Sequence, residues 1–272
     1  MFDCARLPQL SLFLLLLSAT SRAAQPSDPV ALQLVRSAVQ SELHFTDSDH
    51  STWTYRDHDR VPGKDATYTA IETERGDLRR MILLNGKPLS PQASQADLVR
   101  LQNFVNDPDA QAKKRRAAAH DGEQARELLR MLPTAFLWTI ATQNAETATL
   151  DYHPNPDFTP PDMQSRVMGR MAGQMIIAKD GNRIRTLKGR LTEDITIGWG
   201  LLGRLYAGGT FDIERRPVGS GHWQITETHV HIGGHALLFK TIGQQEDEEK
   251  TDWRPSPAHN LNEALQTLST SR

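Results

Sequence analysis

Apolar positions along this chain switch between two periods. Ala31, Leu34, Val35, Ala38 and Val39 recur at helical spacing behind Asp28 as a cap and Pro29 in the first turn, which predicts an amphipathic helix. Three strand-like runs follow at 51–56, with Trp53 and Tyr55 on one face, at 67–73, and at 78–84 before the Asn85-Gly86 turn signal. The middle of the chain returns to helical period. Ser90-Pro91 opens a helix with Leu98, Leu101, Phe104 and Val105 on one face, and Asp107-Pro108-Asp109 interrupts it. A second helix carries Lys113-Lys114-Arg115-Arg116. Asp121 and Gln124 have the spacing of a capping box for a third helix through Leu128, Leu129 and Leu132, ended by Pro133.

Strand period then takes over. Runs at 136–140 and 147–152 read as strands, with a Pro-rich crossing loop over 153–161. From 172 to 243, short segments rich in Ile, Leu, Val, Thr, Phe and Trp lie between the turn signals Asp180-Gly181, Gly208-Gly209, Gly219-Ser220-Gly221 and Gly233-Gly234. That spacing predicts a meandering antiparallel sheet. The acidic run over 246–249 reads as a solvated loop. Asn260 and Glu263 cap a last helix with Leu261, Leu265 and Leu268. The fold class is α+β, as one domain over 24–272. Its helical insert covers about 90–132, and an acidic loop and C-terminal helix occupy 244–272.

The first 23 residues have the layout of a cleaved export signal. Arg6 precedes the apolar run over 10–17, and Ser21-Arg22-Ala23 offers small residues at the cleavage positions. The run is shorter than the roughly 20 apolar residues of a spanning helix. The only cysteine, Cys4, would leave with the signal. Export without disulfides points to a periplasmic location. The balance of 31 Lys+Arg against 33 Asp+Glu gives no general attraction to nucleic acid, so no nucleic-acid partner is expected. The basic run in the insert reads as a solvated helix face.

Motifs for chemistry are sparse. Residues 198–203 fit G-x-G-x-x-G, but a strand follows instead of a nucleotide-binding helix, so a structural glycine turn is expected. His229 and His231 share one side of a strand with Glu227 in phase; His222 and His235 are out of phase. Two imidazoles fall short of a metal site. There is no G-x-S-x-G elbow and no H-E-x-x-H. The expectation is therefore no metal, no cofactor and no catalytic residue.

A two-residue hairpin at Gly233-Gly234 would set Ile232 against His235 and His231 against Ala236. Both faces would then be partly apolar, with Trp223, Ile225 and Leu238 on one and Val230, Ile232 and Phe239 on the other. One face can pack on helices and the other can line a cavity or be ordinary core.

The order of elements resembles the LolA/LolB-type lipoprotein-carrier superfamily. The matching parts are the helix after Asp28, the paired strands from Trp53 to Leu84, the inserted helices, and the meander from Gly173, with Met171-Ala-Gly-Gln-Met-Ile-Ile-Ala-Lys-Asp180 then Arg183-Ile184 as short pieces. The resemblance implies a curved antiparallel half-barrel with helices over its concave face. It further implies a non-catalytic carrier for an apolar or acylated ligand, such as a lipoprotein, with transient contact to a membrane surface or membrane receptor. Candidate cavity-lining residues are Trp53, Tyr55, Trp199, Phe211, Trp223, Leu238 and Phe239. Two alternatives stand beside it: an exported hydrolase, metal-assisted through His229 and His231, and an envelope scaffold that binds through a sheet edge.

Overall fold

A computed structural model describes residues 26–197, 203–219, 221–236 and 244–270. The export segment, Trp199, Leu238 and Phe239 lie outside the described residues. In chain order the elements are α1 (Pro29–Ser48), β1 (Trp53–Val61), β2 (Lys64–Thr73), β3 (Gly76–Leu84), β4 (Lys87–Pro88), α2 (Pro91–Val105), α3 (Pro108–Ala135), β5 (Phe136–Gln143) and β6 (Thr147–Pro154). There follow α4 (Met163–Met168), β7 (Met171–Ala178), β8 (Arg183–Leu191), β9 (Ile195–Ile197), β10 (Gly203–Leu205), β11 (Thr210–Gly219), β12 (His222–Ile232), β13 (Gly234–Ala236), β14 (Gln244–Pro255) and α5 (Leu261–Thr270).

Eleven strands form one open antiparallel sheet in the order β4-β3-β2-β1-β14-β12-β11-β8-β7-β6-β5. Strands β13, β10 and β9 form a small second sheet. The chain is thus α+β, with a large antiparallel sheet not closed into a barrel.

The acidic run is a correction to the sequence reading. It lies in β14, a central strand between β1 and β12, not in a loop. Its charges are partly compensated: Asp247 faces His229 and Arg60, Glu249 faces His58 on one side and Glu227 on the other, and Glu248, opposite Asp59, pairs with Lys250 of its own strand at 2.9 Å. Cross-strand pairing overrides a poor local strand propensity. The hairpin at Gly233-Gly234 is a second correction. β12 pairs with β11 and β14, while β13 leaves to pair with β10. The insert is a third, since α3 is one continuous helix through Asp121 and Gln124 and runs two residues past Pro133.

The caps read from sequence at α1 and α5 form, and Ser90, read as the opening of α2, caps that helix. Asp28 accepts the Val30 N–H at 2.8 Å, Ser90 that of Ala93 at 3.2 Å, and Asn260 that of Glu263 at 3.1 Å. Asp107, read as an interruption, caps α3 by accepting from Ala110 N at 2.9 Å.

The two faces of the sheet differ sharply. Thr139, Asp151, Gln174, Lys188, Asp212, His229, Asp247, Arg60 and Asp65 stand opposite one another, strand by strand, in one row. Every member is polar, so the expectation of two partly apolar faces fails along this row. The neighbouring row on the opposite face reads Ile140, Leu150, Met175, Leu187, Ile213, Thr228, Glu248, Asp59, Ala66. It is apolar from β5 to β11 and charged at β14 and β1. Helices α1 and α3 cover the apolar part, burying Val35, Ala38, Leu132, Trp138, Leu150 and Met175 in one core. At the β2–β3 end the face of the polar row is apolar too: α5, with α2, packs Leu265, Leu268 and Leu101 against Ile71 and Leu78, which lie on that face with Asp65.

Both edges of the sheet are covered. On β3, Asp97 accepts the Met81 N–H at 3.0 Å, Arg100 donates to Arg79 O at 2.8 Å, and Lys114 donates to Asp77 O at 3.0 Å. Side chains of α2 and α3 thus take the place of a twelfth strand. On β5, Trp138 exchanges bonds with Ser27 and Asp28.

Candidate functional site

Where α3 crosses the apolar half of the sheet, the two do not meet completely. A cavity of about 280 Å³ remains between Ala125, Leu128, Leu129 and Leu132 of α3, Met168 of α4, and Phe136, Tyr152, Leu187, Phe211 and Ile213 of the sheet. Its volume falls just below the roughly 300–1,000 Å³ typical of small-molecule sites.

Glycine shapes the floor. Tyr152, Gly173, Gly189 and Phe211 are consecutive partners across β6, β7, β8 and β11. A Cβ on Gly189 would stand 2.2 Å from the Tyr152 hydroxyl and 2.9 Å from the Phe211 ring, and one on Gly173 would meet Lys188 O at 2.0 Å. Only hydrogen at Gly189 lets the two rings lie down on the sheet, and only hydrogen at Gly173 lets β7 and β8 approach so closely. Tyr152 is the one lining residue with a polar group. Its hydroxyl donates to Lys188 O at 3.0 Å, and burial pushes its titration upward, so it stays protonated. A guest meets only hydrocarbon and ring surface there.

One end of α1 is anchored beside this core by a buried charge cluster. Glu42 accepts from Arg183 Nε at 3.1 Å, Arg183 Nη2 at 3.0 Å and Ile184 N at 2.8 Å, and also pairs with Arg215. Burial works to raise the Glu42 carboxyl, but the bonds to Arg183 and the charge of Arg215 outweigh it and hold the group below its usual range.

Of the residues read from sequence, Phe211 lines the cavity. Trp53 and Tyr55 lie instead in a separate aromatic cluster around Trp253, with Tyr55 stacked on Trp253 at 4.4 Å. Trp223 borders a different cavity, of about 450 Å³, with Arg185 and Arg215. The α3 leucines and Tyr152 went unread as site residues. Glycine inside two strand-like runs was the available signal, because it marks a close approach.

His229 and His231 do share a side, and Asp247 joins them from β14. Its Oδ1 lies 2.7 Å from His229 Nδ1 and 3.1 Å from His231 Nε2. Slight burial tends to raise Asp247, but these bonds outweigh it and hold the carboxyl below the usual range. Among the described residues no group of three His, Cys, Asp or Glu side chains has the geometry to hold a metal ion. No described helix is long and apolar enough to cross a membrane.

No protein-family model matches the chain, and neither a curated protein nor a solved structure matches it.

Proposed function

We propose that this protein is an exported, periplasmic carrier of the lipoprotein-carrier type, which shields an apolar or acylated ligand without covalent chemistry. The observation that carries this reading is the cavity beneath α3, walled by leucines and aromatic rings, with its single hydroxyl already engaged. Burial is worth about 0.8 kcal/mol per methylene, so a hydrocarbon guest needs no polar contact to be held. The cost of immobilising it sets the net affinity.

The length of α3 supports a half-barrel form. Lys114 binds Asp77 on β3 at 2.8 Å, and Leu132 O accepts the indole N–H of Trp138 on β5 at 3.0 Å. Those helix positions are about 27 Å apart at 1.5 Å per residue. The strands they reach are nine steps apart in the sheet order, about 43 Å along the sheet at roughly 4.8 Å per step. The side chains of Lys114, Asp77 and Trp138 span part of that difference; on the half-barrel reading a bend of the sheet takes up the rest, with α3 across the open side as a lid.

Native mass spectrometry of protein purified from the bacterial envelope, with titration of a fluorescent fatty acid, tests the proposal. A co-purified lipid or lipopeptide and saturable binding that Ala125→Leu weakens by at least about tenfold are expected. Absence of both would sink it.

A further inference from the structure

The basic run Lys113-Lys114-Arg115-Arg116 lies near the start of α3, and the fold decides which way it faces. Lys114 is turned inward. Its Nζ pairs with Asp77 Oδ1 at 2.8 Å, donates to Asp77 O at 3.0 Å, and sits 5.6 Å from the centre of the Phe104 ring. At about 100° per residue, Lys113 and Arg115 then fall on the flanks of the helix and Arg116 on its outer side. All three are exposed, and none has an ion pair among the described residues. Further along the same helix the cations are neutralised: Arg126 pairs with Asp47 and Glu123, and Arg130 with Glu123. Between Asp109 and Asp121 there is no acid and no large apolar side chain.

Three uncompensated cations on one stretch of helix, in a chain of net charge -2, make a local positive surface and not a general one. We infer that this surface docks the protein on a membrane of anionic phospholipid. Phosphate head groups move in the plane of a bilayer, so they can gather under cations that point in different directions. A protein partner would need an apolar or aromatic anchor in a desolvated pocket. This stretch offers none, its neighbours being Ala110, Ala112 and Ala117 to Ala119. Each cation is worth about fivefold in affinity near such a surface, so the contact is weak enough to be reversible. Ala125, the first residue of α3 that lines the apolar cavity, lies about 14 Å along the axis from Arg116. Docking therefore brings the roof of that cavity towards the bilayer without using any residue that lines it, and it stands apart from what the cavity holds.

Vesicle flotation with the full chain tests it, using equal parts phosphatidylcholine and phosphatidylglycerol beside phosphatidylcholine alone. Binding to the anionic vesicles only, falling as salt is raised, is expected. Lys113→Gln, Arg115→Gln and Arg116→Gln together keep high helix propensity and should weaken binding about a hundredfold at an unchanged melting temperature. A control combining Arg75→Gln, Lys87→Gln and Arg190→Gln changes exposed cations away from α3. It carries the same change in net charge and should bind as the wild type does. Equal loss in both variants would mean net charge alone and overturn the surface, as would no binding to anionic vesicles at low salt. Binding of poly-aspartate but not of vesicles would assign the surface to an acidic protein and overturn it too. Ala125→Leu should float with the vesicles undiminished, so that docking and uptake of an apolar ligand are read separately.

Discussion

The hydroxyl of Tyr152 on β6 occupies the space that a side chain at Gly189 on β8, two strands away, would need: a Cβ there would stand 2.2 Å from it. Gly189→Ala therefore has to displace the Tyr152 ring or bend the sheet. A loss of about 1–3 kcal/mol is expected, as for other overpacked cores. Tyr152→Phe removes the clashing oxygen, so Gly189→Ala should cost less in that background than alone. Chemical denaturation of the two single variants and the double variant measures the coupling. Strictly additive costs would show that the two residues do not compete for this space.

Filling the cavity separates stability from uptake. Ala125 faces it from α3, and Leu at that position keeps high helix propensity. Ala125→Leu should leave the melting temperature unchanged or raise it, and reduce fatty-acid binding by at least about tenfold through lost volume. Undiminished binding would place the ligand elsewhere.

Removing Glu42 should be among the most damaging changes. It leaves Arg183 and Arg215 without their carboxylate beside the core, and breaking a buried pair costs about 3–5 kcal/mol. Because the folded carboxyl titrates below its ordinary value of 4.5, its stabilisation is complete above that value and is lost as pH falls through the lower, folded one. The urea-denaturation gap between wild type and Glu42→Gln should be wide at neutral pH and shrink in acid. A gap independent of pH would count against the ionic account.

Asp57 should show the opposite sign. Burial, with the charges of Glu248 and Asp59, outweighs Arg79 and Lys250 and pushes its carboxyl up to about 6 from 3.8. The folded protein then binds this proton more tightly than the unfolded chain. The group's contribution is most favourable below 3.8 and declines as pH rises towards 6. Between these limits wild-type stability should fall with rising pH relative to Asp57→Asn. Parallel stability profiles would refute the assignment.

The covered β3 edge predicts an association phenotype. Asp97→Ala leaves the Met81 N–H without its acceptor and frees Arg100 from its ion pair. With Lys114→Ala added, Asp77 O also loses its donor. The double variant should dimerise or aggregate through this edge, read by light scattering after size-exclusion chromatography. A monodisperse monomer would show that the edge is protected by other means.

Local chemistry was legible in the chain by itself. Asp28 with Pro29, Ser90 with Pro91, and Asn260 with Glu263 act within a few residues of their own helices, so their caps could be read without a partner. The antiparallel character of the strands and the burial of Trp53 and Tyr55 were likewise written in period and residue type. Only tertiary structure decided that the acidic run would become a central strand. Within it Asp247 bonds to His229 and His231 and faces Arg60, residues that belong to other strands and reach it only in register. The cavity is likewise a property of no single segment. It exists because α3 crosses rings that lie over Gly189 of β8, and the distance between a helix and a sheet is set by the side chains of both.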